Sequence, residues 1–148
     1  MNIIAISKLP KKALSNMELL VAVKKLKIDH FKGVFMRDEL TTLKADKNEC
    51  GILNLDDSTN LNDVYGSSTG GGTHWVAWWK KGKHVSYFDS FGLAPPLEFK
   101  SYMKGNKIDY NKVQVQAPGT IICGHLCLYF LLEKSRGNCM SKLVKDLL

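Results

Sequence analysis

The sequence predicts one compact domain that mixes helices with strands, on three observations. A chain of 148 residues with 45% hydrophobic content can bury one substantial core and asks for no second domain. Apolar residues recur at helical spacing near both ends. Between them, from His74 to Asp89, aromatic and β-branched residues gather around a turn, as strands require.

The first helix is signalled at Ser15 and Glu18, a capping-box pair, with Leu14 and Leu19 at hydrophobic-staple positions. Leu19, Leu20, Val23 and Leu26 are expected on its core face, with Glu18, Lys24, Lys25 and Lys27 in water. Asp29 to Gly33 breaks that pattern, Val34 to Met36 reads as a buried anchor, and a short helix is expected after it. Cys50 to Leu55 reads as a buried strand, followed to Gly72 by a loop rich in Asp, Asn, Ser and Gly.

The hairpin runs from His74 to Asp89. With Lys81-Gly82 as its two-residue turn, Trp78 faces Val85, Val76 faces Tyr87, and His74 faces Asp89. Opposed Cβ atoms lie roughly 5 Å apart, close enough for imidazole and carboxylate to meet. A slip of one residue would send Asp89 to the other face. Pro96 then opens one or two helical turns over Leu97 to Met103, and Lys104 to Lys107 is a turn. Ile108 to Gln116 alternates as a strand, and Pro118-Gly119 turns the chain. A strongly apolar helix spans Ile121 to Lys134, stopped by Gly137, and an amphipathic helix runs from Ser141 to Leu147.

Composition excludes some classes. The apolar stretch from Ile121 to Leu132 is too short to cross a bilayer, which takes about 20 residues, and the N-terminus has no basic region ahead of its apolar run, so the reading is a soluble chain that is not secreted. Its cysteines at 50, 123, 127 and 139 are then expected as free thiols in a reducing compartment. A net charge of +7 attracts polyanions, but the lysines are scattered, which makes nucleic acid a secondary partner.

The chemistry gathers at Cys123. In the first turn of an apolar helix, the helix dipole and unpaired N–H groups favour a thiolate, and an imidazole nearby adds to this. Gln116 can offer a side-chain amide beside the backbone N–H of Cys123, the elements of an oxyanion hole. Each residue has a plainer reading as packing or support, and Cys50, Cys127 and Cys139 are placed in that class. Gly70-Gly71-Gly72 lacks the Gly-Lys-Ser/Thr of a phosphate loop; Gly71 and Gly72 either let a substrate chain approach the backbone or simply connect. Trp75 either walls such a channel or packs in the core. A zinc site from Cys123, His125, Cys127 and Cys139 is a further alternative, although Cys-x-x-x-Cys inside an apolar helix is not a usual zinc geometry.

Three blocks stand in order: Gly71-Gly72-Thr73-His74-Trp75, Tyr87-Phe88-Asp89-Ser90-Phe91-Gly92, and Val115-Gln116-Ala117-Pro118-Gly119-Thr120-Ile121-Ile122-Cys123-Gly124. Together they resemble the adenovirus maturation protease family, adenain, and its relatives in virophages and Polinton-type elements, for which residues 31–40 and 50–56 are also similar. The resemblance implies an α+β fold, a central mixed or antiparallel sheet flanked by helices, related to papain by a rearranged chain order. It implies His74 as base, Asp89 as orienting acid, Gln116 as oxyanion donor and Cys123 as nucleophile, with no metal and no cofactor. The implied activity is cleavage of viral capsid precursors near Gly-Gly or Gly-X-Gly sequences during virion maturation, by a monomer in the virion and in the host cytoplasm or nucleus, with no membrane partner. Adenain is activated by a peptide disulfide-bonded to a cysteine between acid and glutamine; no cysteine lies between Cys50 and Cys123 here, so activation of that kind has no acceptor. The 56–72 loop is expected to cover the site or to contribute to substrate choice. Proteases of ubiquitin-like modifiers, which also favour Gly-Gly, are the nearest alternative; a non-catalytic basic protein that binds nucleic acid or packs in a capsid is the alternative of another class.

Overall fold

The computed structural model describes residues 6–56, 74–117 and 120–148. The Ser15 hydroxyl accepts from Glu18 N at 3.1 Å and Ser15 N donates to Glu18 Oε1 at 3.0 Å, so the capping box starts helix α1 (Asn16–Leu26) as expected. Its buried residues are Leu19, Ala22, Val23 and Leu26, while Leu20 is 37% exposed: the core face follows strict i, i+3, i+4, i+7 spacing, which passes over Leu20.

After α1 come strand β1 (Phe31–Met36), a 3-10 helix (Arg37–Thr42), β2 (Asn48–Asn54), β3 (Trp75–Lys81) and β4 (His84–Phe88). Helix α2 (Leu97–Tyr102), strand β5 (Lys107–Tyr110) and helices α3 (Cys123–Ser135) and α4 (Met140–Leu147) complete the order. The strands make one mixed sheet in the order β1-β2-β3-β4-β5. The outer pairs β1–β2 and β4–β5 are parallel and the inner pairs antiparallel. This is the α+β architecture expected, and among the described residues no helix is long and apolar enough to cross a membrane.

Three local expectations are corrected. Residues 31–36 form an edge strand and not a break with an anchor, because pairing with β2 supplies the ladder that a one-dimensional pattern does not display. The strand expected over 108–116 stops at Tyr110; beyond it the Asn111 side chain bonds to the Asp89 backbone, Lys112 takes a left-handed φ of +56°, and Val115 N and Gln116 N both donate to Ser90 O. The hairpin closes one residue later than expected. Lys81 pairs with His84 and Trp78 with Tyr87, because Gly82, with φ +61°, takes the first central position of the turn, where left-handed backbone is needed. Moving the turn by one residue shifts the register by two, which preserves the facing of every side chain. Pro118-Gly119, the expected turn, lies outside the described residues.

The helices sandwich the sheet. On one face α1, α3 and α4 pack over Ile52, Trp75, Ala77 and Phe88, and on the other α2 and the 3-10 helix pack over Leu53, Val76, Trp78 and Tyr87. Helix α3 is buried nearly all round, as its uniform apolarity requires. Burying a side chain such as Leu128, Phe130 or Leu131, each fully enclosed, contributes about 1.5–3 kcal/mol. Phe130 stacks on Phe88 with ring centroids 5.2 Å apart. That contact fixes α3 against the residue preceding Asp89, and Phe130 lies two turns along the helix from Cys123.

Candidate active site

The strand ends assemble the site. His74 immediately precedes β3 and Asp89 immediately follows β4, so the antiparallel hairpin sets them side by side at its open end. His74 Nε2 donates to Asp89 Oδ1 at 2.7 Å, with both residues buried. This leaves Nδ1 as the nitrogen for Cys123, whose thiol is a side-chain hydrogen-bond partner of the same imidazole. Burial by itself lowers the pKa of the ring and is the largest effect. The hydrogen bonds from Asp89 and Cys123, with their charges, outweigh it and raise the pKa to about 9.

Cys123 is the first residue of α3, and Ile122 before it gives no side-chain cap. The positive end of the helix dipole is therefore not neutralised by a capping side chain. Cys127, one turn on, is fully buried, and burial, with the neighbouring charges of Cys123 and Asp89, pushes its thiol well up. Burial likewise raises Cys50 to about 12. Both behave as packing, as expected. Cys139 is exposed, and a hydrogen bond with Ser141 lowers its pKa.

Gln116 is buried but lies on irregular chain and not on a strand. The Ser90 hydroxyl donates to Gln116 Oε1 at 2.5 Å, and Gln116 Nε2 donates to Thr120 O at 2.8 Å, three residues before Cys123. One of its two amide protons is thus spent on orienting the side chain. Trp75 is 3% exposed and its indole N–H donates to Leu14 O at 2.9 Å, which places it in the core. Gly71, Gly72 and the 57–72 part of the long loop lie outside the described residues. Cys123, His125, Cys127 and Cys139 are not brought together. His125 Nε2 meets Pro10 O at 2.8 Å, and among the described residues no group of three or more His, Cys, Asp or Glu could hold a metal ion.

Two residues given no role in the sequence reading complete the site. Asn111 Oδ1 accepts from Asp89 N at 3.0 Å, while its Nδ2 donates to Asp89 O at 2.6 Å and Val113 O at 3.0 Å. The parallel pairing of β4 with β5, ending at Tyr87 and Tyr110, delivers it there. Phe91 stacks on the His74 ring at 4.5 Å with planes 17° apart, and its N–H donates to Asp89 Oδ1 at 2.8 Å. Gly92 closes this turn with φ +74°; a Cβ there would stand 2.7 Å from the Val113 carbonyl carbon. The signal for Phe91 was its place two residues after an aspartate, where a short side chain caps its own turn. Asn111 had no local signal.

No protein family matches the chain by sequence, and no curated protein does. Solved structures do. The ASFV pS273R protease is similar with a TM-score of 0.59 at 15% identity, over 94% of this chain and 63% of that one. Its selenomethionine form gives 0.61 at 18% identity, over 91% and 62%. The SUMO protease Ulp1, solved with its catalytic cysteine oxidised to a sulfinic acid, gives 0.56 at 13% identity, over 94% and 75%. The chain therefore spans less than two thirds of the length of the ASFV protease. At these identities the likeness shows the fold, and the fold of this chain is the one shared by these proteases.

Proposed function

We propose that the chain is a cysteine-type endopeptidase whose nucleophile is Cys123. The observation that carries this reading is the buried 2.7 Å pair of His74 and Asp89, with Cys123 on the same imidazole at the start of α3. His74 Nδ1 takes the thiol proton and the sulfur attacks the peptide carbonyl. The imidazolium, held by Asp89, then returns that proton to the leaving amine as the C–N bond breaks. Water, deprotonated by His74, hydrolyses the thioester and releases the second product. The backbone N–H of Cys123 and the second amide proton of Gln116 are the donors offered to the oxyanion. Asn111 and Phe91 act as positioning residues for Asp89 and His74.

The substrate reading is a viral precursor protein, cleaved near Gly-Gly or Gly-X-Gly sequences during virion maturation. It rests on the ordered blocks around His74, Asp89 and Cys123 and agrees with the likeness to the ASFV protease. A single domain acting as a monomer in the virion and the host cytoplasm or nucleus fits this role, with nucleic acid attracted by the net charge of +7. Removal of a ubiquitin-like modifier is a second reading, favoured by the likeness to Ulp1, of which the chain covers a larger share. Purified protein offered a capsid precursor with Gly-Gly sites and a SUMO conjugate separates the two. Faster cleavage of the precursor supports the first, and faster release of SUMO supports the second.

A further inference from the structure

A cavity of about 940 Å³ lies at the other end of β3 and α3 from His74 and Cys123. Trp79 lines it, five residues along the strand from His74 and so about 17 Å away. That volume is in the range of small-molecule sites. The cavity exists because α3 stops at Ser135 and because the neighbours of Trp79 across the sheet, Cys50 and Ser86, are small. Trp79 is consequently only partly buried, whereas Trp75 and Trp78 are enclosed in the core.

Basic side chains share the cavity with this indole. Lys27, Lys81, Lys134, His30 and His84 line the cavity, and Asp29 is the exposed carboxylate on its rim. Glu49 also borders it, but its oxygens are engaged by the Trp78 indole, the Tyr102 hydroxyl, Asp46 N and Lys32. The Lys80 ammonium is held on the carbonyls of Lys47 and Gly82. Lys134 is half-buried, which lowers its pKa against the opposing pull of Cys139 and Asp109, and it has no ion pair among the described residues. The ends of α1 and α3 also face this region, and free carbonyls there would repel an anion. Part of each set is occupied: Lys24 O and Val23 O accept from Lys27 and Ile28, and Glu133 O and Lys134 O from Asn138 and Gly137. Basic side chains lining one cavity with a half-open indole suit a ligand with a planar ring and a compact negative group.

We propose that this groove binds a nucleoside phosphate, the ring lying on Trp79 and the phosphate between Lys27, Lys81 and Lys134. The site is separate from Cys123 and independent of the peptidase reading. Calorimetric titration of the full chain with ADP, adenosine and inorganic phosphate tests it. ADP is expected to bind more tightly than either fragment, and to weaken about tenfold in Trp79→Leu and in the exposed pair Lys27→Glu with Lys81→Glu. The remote exposed pair Lys8→Glu with Lys11→Glu, an equal change in net charge, should leave ADP affinity within about twofold of the parent. Absence of ADP binding overturns the proposal. So does equal weakening by the remote pair, or phosphate binding as tightly as ADP.

Discussion

Asp89 holds His74 from the opposite strand of one hairpin, Oδ1 lying 2.7 Å from Nε2 with both side chains out of water. The carboxylate is itself fixed at its backbone by Asn111 and at Oδ1 by the N–H of Phe91. The imidazole is therefore held in one orientation, with the Cys123 thiol as its other side-chain hydrogen-bond partner, and its geometry depends on residues outside this trio. Support runs in one direction, from Asn111 to Asp89 to His74 to Cys123.

Replacing Cys123 or His74 by alanine should lower kcat/KM by at least about 10³-fold; Cys123→Ala should keep thermal stability close to the parent, whereas His74→Ala keeps the fold but loses the stabilisation of the buried pair with Asp89. Cys127→Ala should keep activity within a few-fold, and peptide hydrolysis assays check all three. A loss in Cys127→Ala as complete as in Cys123→Ala would move the nucleophile.

Asn111→Ala should free the Asp89 backbone and weaken its hold on the ring. The expected result is a fall of about tenfold or more in kcat with KM little changed, and a His74 titration, followed by NMR, that moves down from about 9. A stability loss without any change in the His74 titration would show that Asn111 serves only the fold.

The His74 pKa sets a pH dependence of stability. It is raised from 6.5 to about 9, so folding favours the protonated ring; this stabilisation is complete below pH 6.5 and is lost as pH rises through about 9. Unfolding free energies from denaturant titrations should fall across that interval, by on the order of 1–3 kcal/mol, and Asp89→Asn should remove most of the slope. Activity should decline as pH rises through about 9, where the imidazolium that donates to the leaving amine disappears.

Gly92→Ala places a Cβ against the Val113 backbone at a φ of +74°. A destabilisation of roughly 1–3 kcal/mol is expected in urea, together with reduced activity, because the same turn carries Asp89 and Phe91.

Native alkylation followed by mass spectrometry should modify Cys139 readily, as it is exposed with a lowered pKa, and leave Cys50 and Cys127 intact, as burial raises both.

Much of this was legible in one dimension wherever the cause is local. The capping box at Ser15 and Glu18, Pro96 at the start of α2 and the apolar run of α3 each carry their own signal. The meeting of His74 with Asp89 followed from hairpin periodicity and survived a misplaced turn, since a two-residue register change keeps side chains on the same face. Residues that depend on parallel pairing were not legible. β1 pairs with β2 across an intervening helix, and β5 pairs with β4 across α2, so neither the edge strand at 31–36 nor the approach of Asn111 to Asp89 leaves a local pattern. For Trp75 the choice between core and channel rests on a contact distant in sequence, its N–H on Leu14 O, which leaves no local pattern.

The central claim is tested most directly by a Gly-Gly peptide bearing a thiol-reactive electrophile at its C-terminus, with the modified residue identified by mass spectrometry. Stoichiometric labelling of Cys123 in the parent, lost in His74→Ala, is the predicted result. Labelling confined to Cys139, or labelling of Cys123 that proceeds equally without His74, would contradict it.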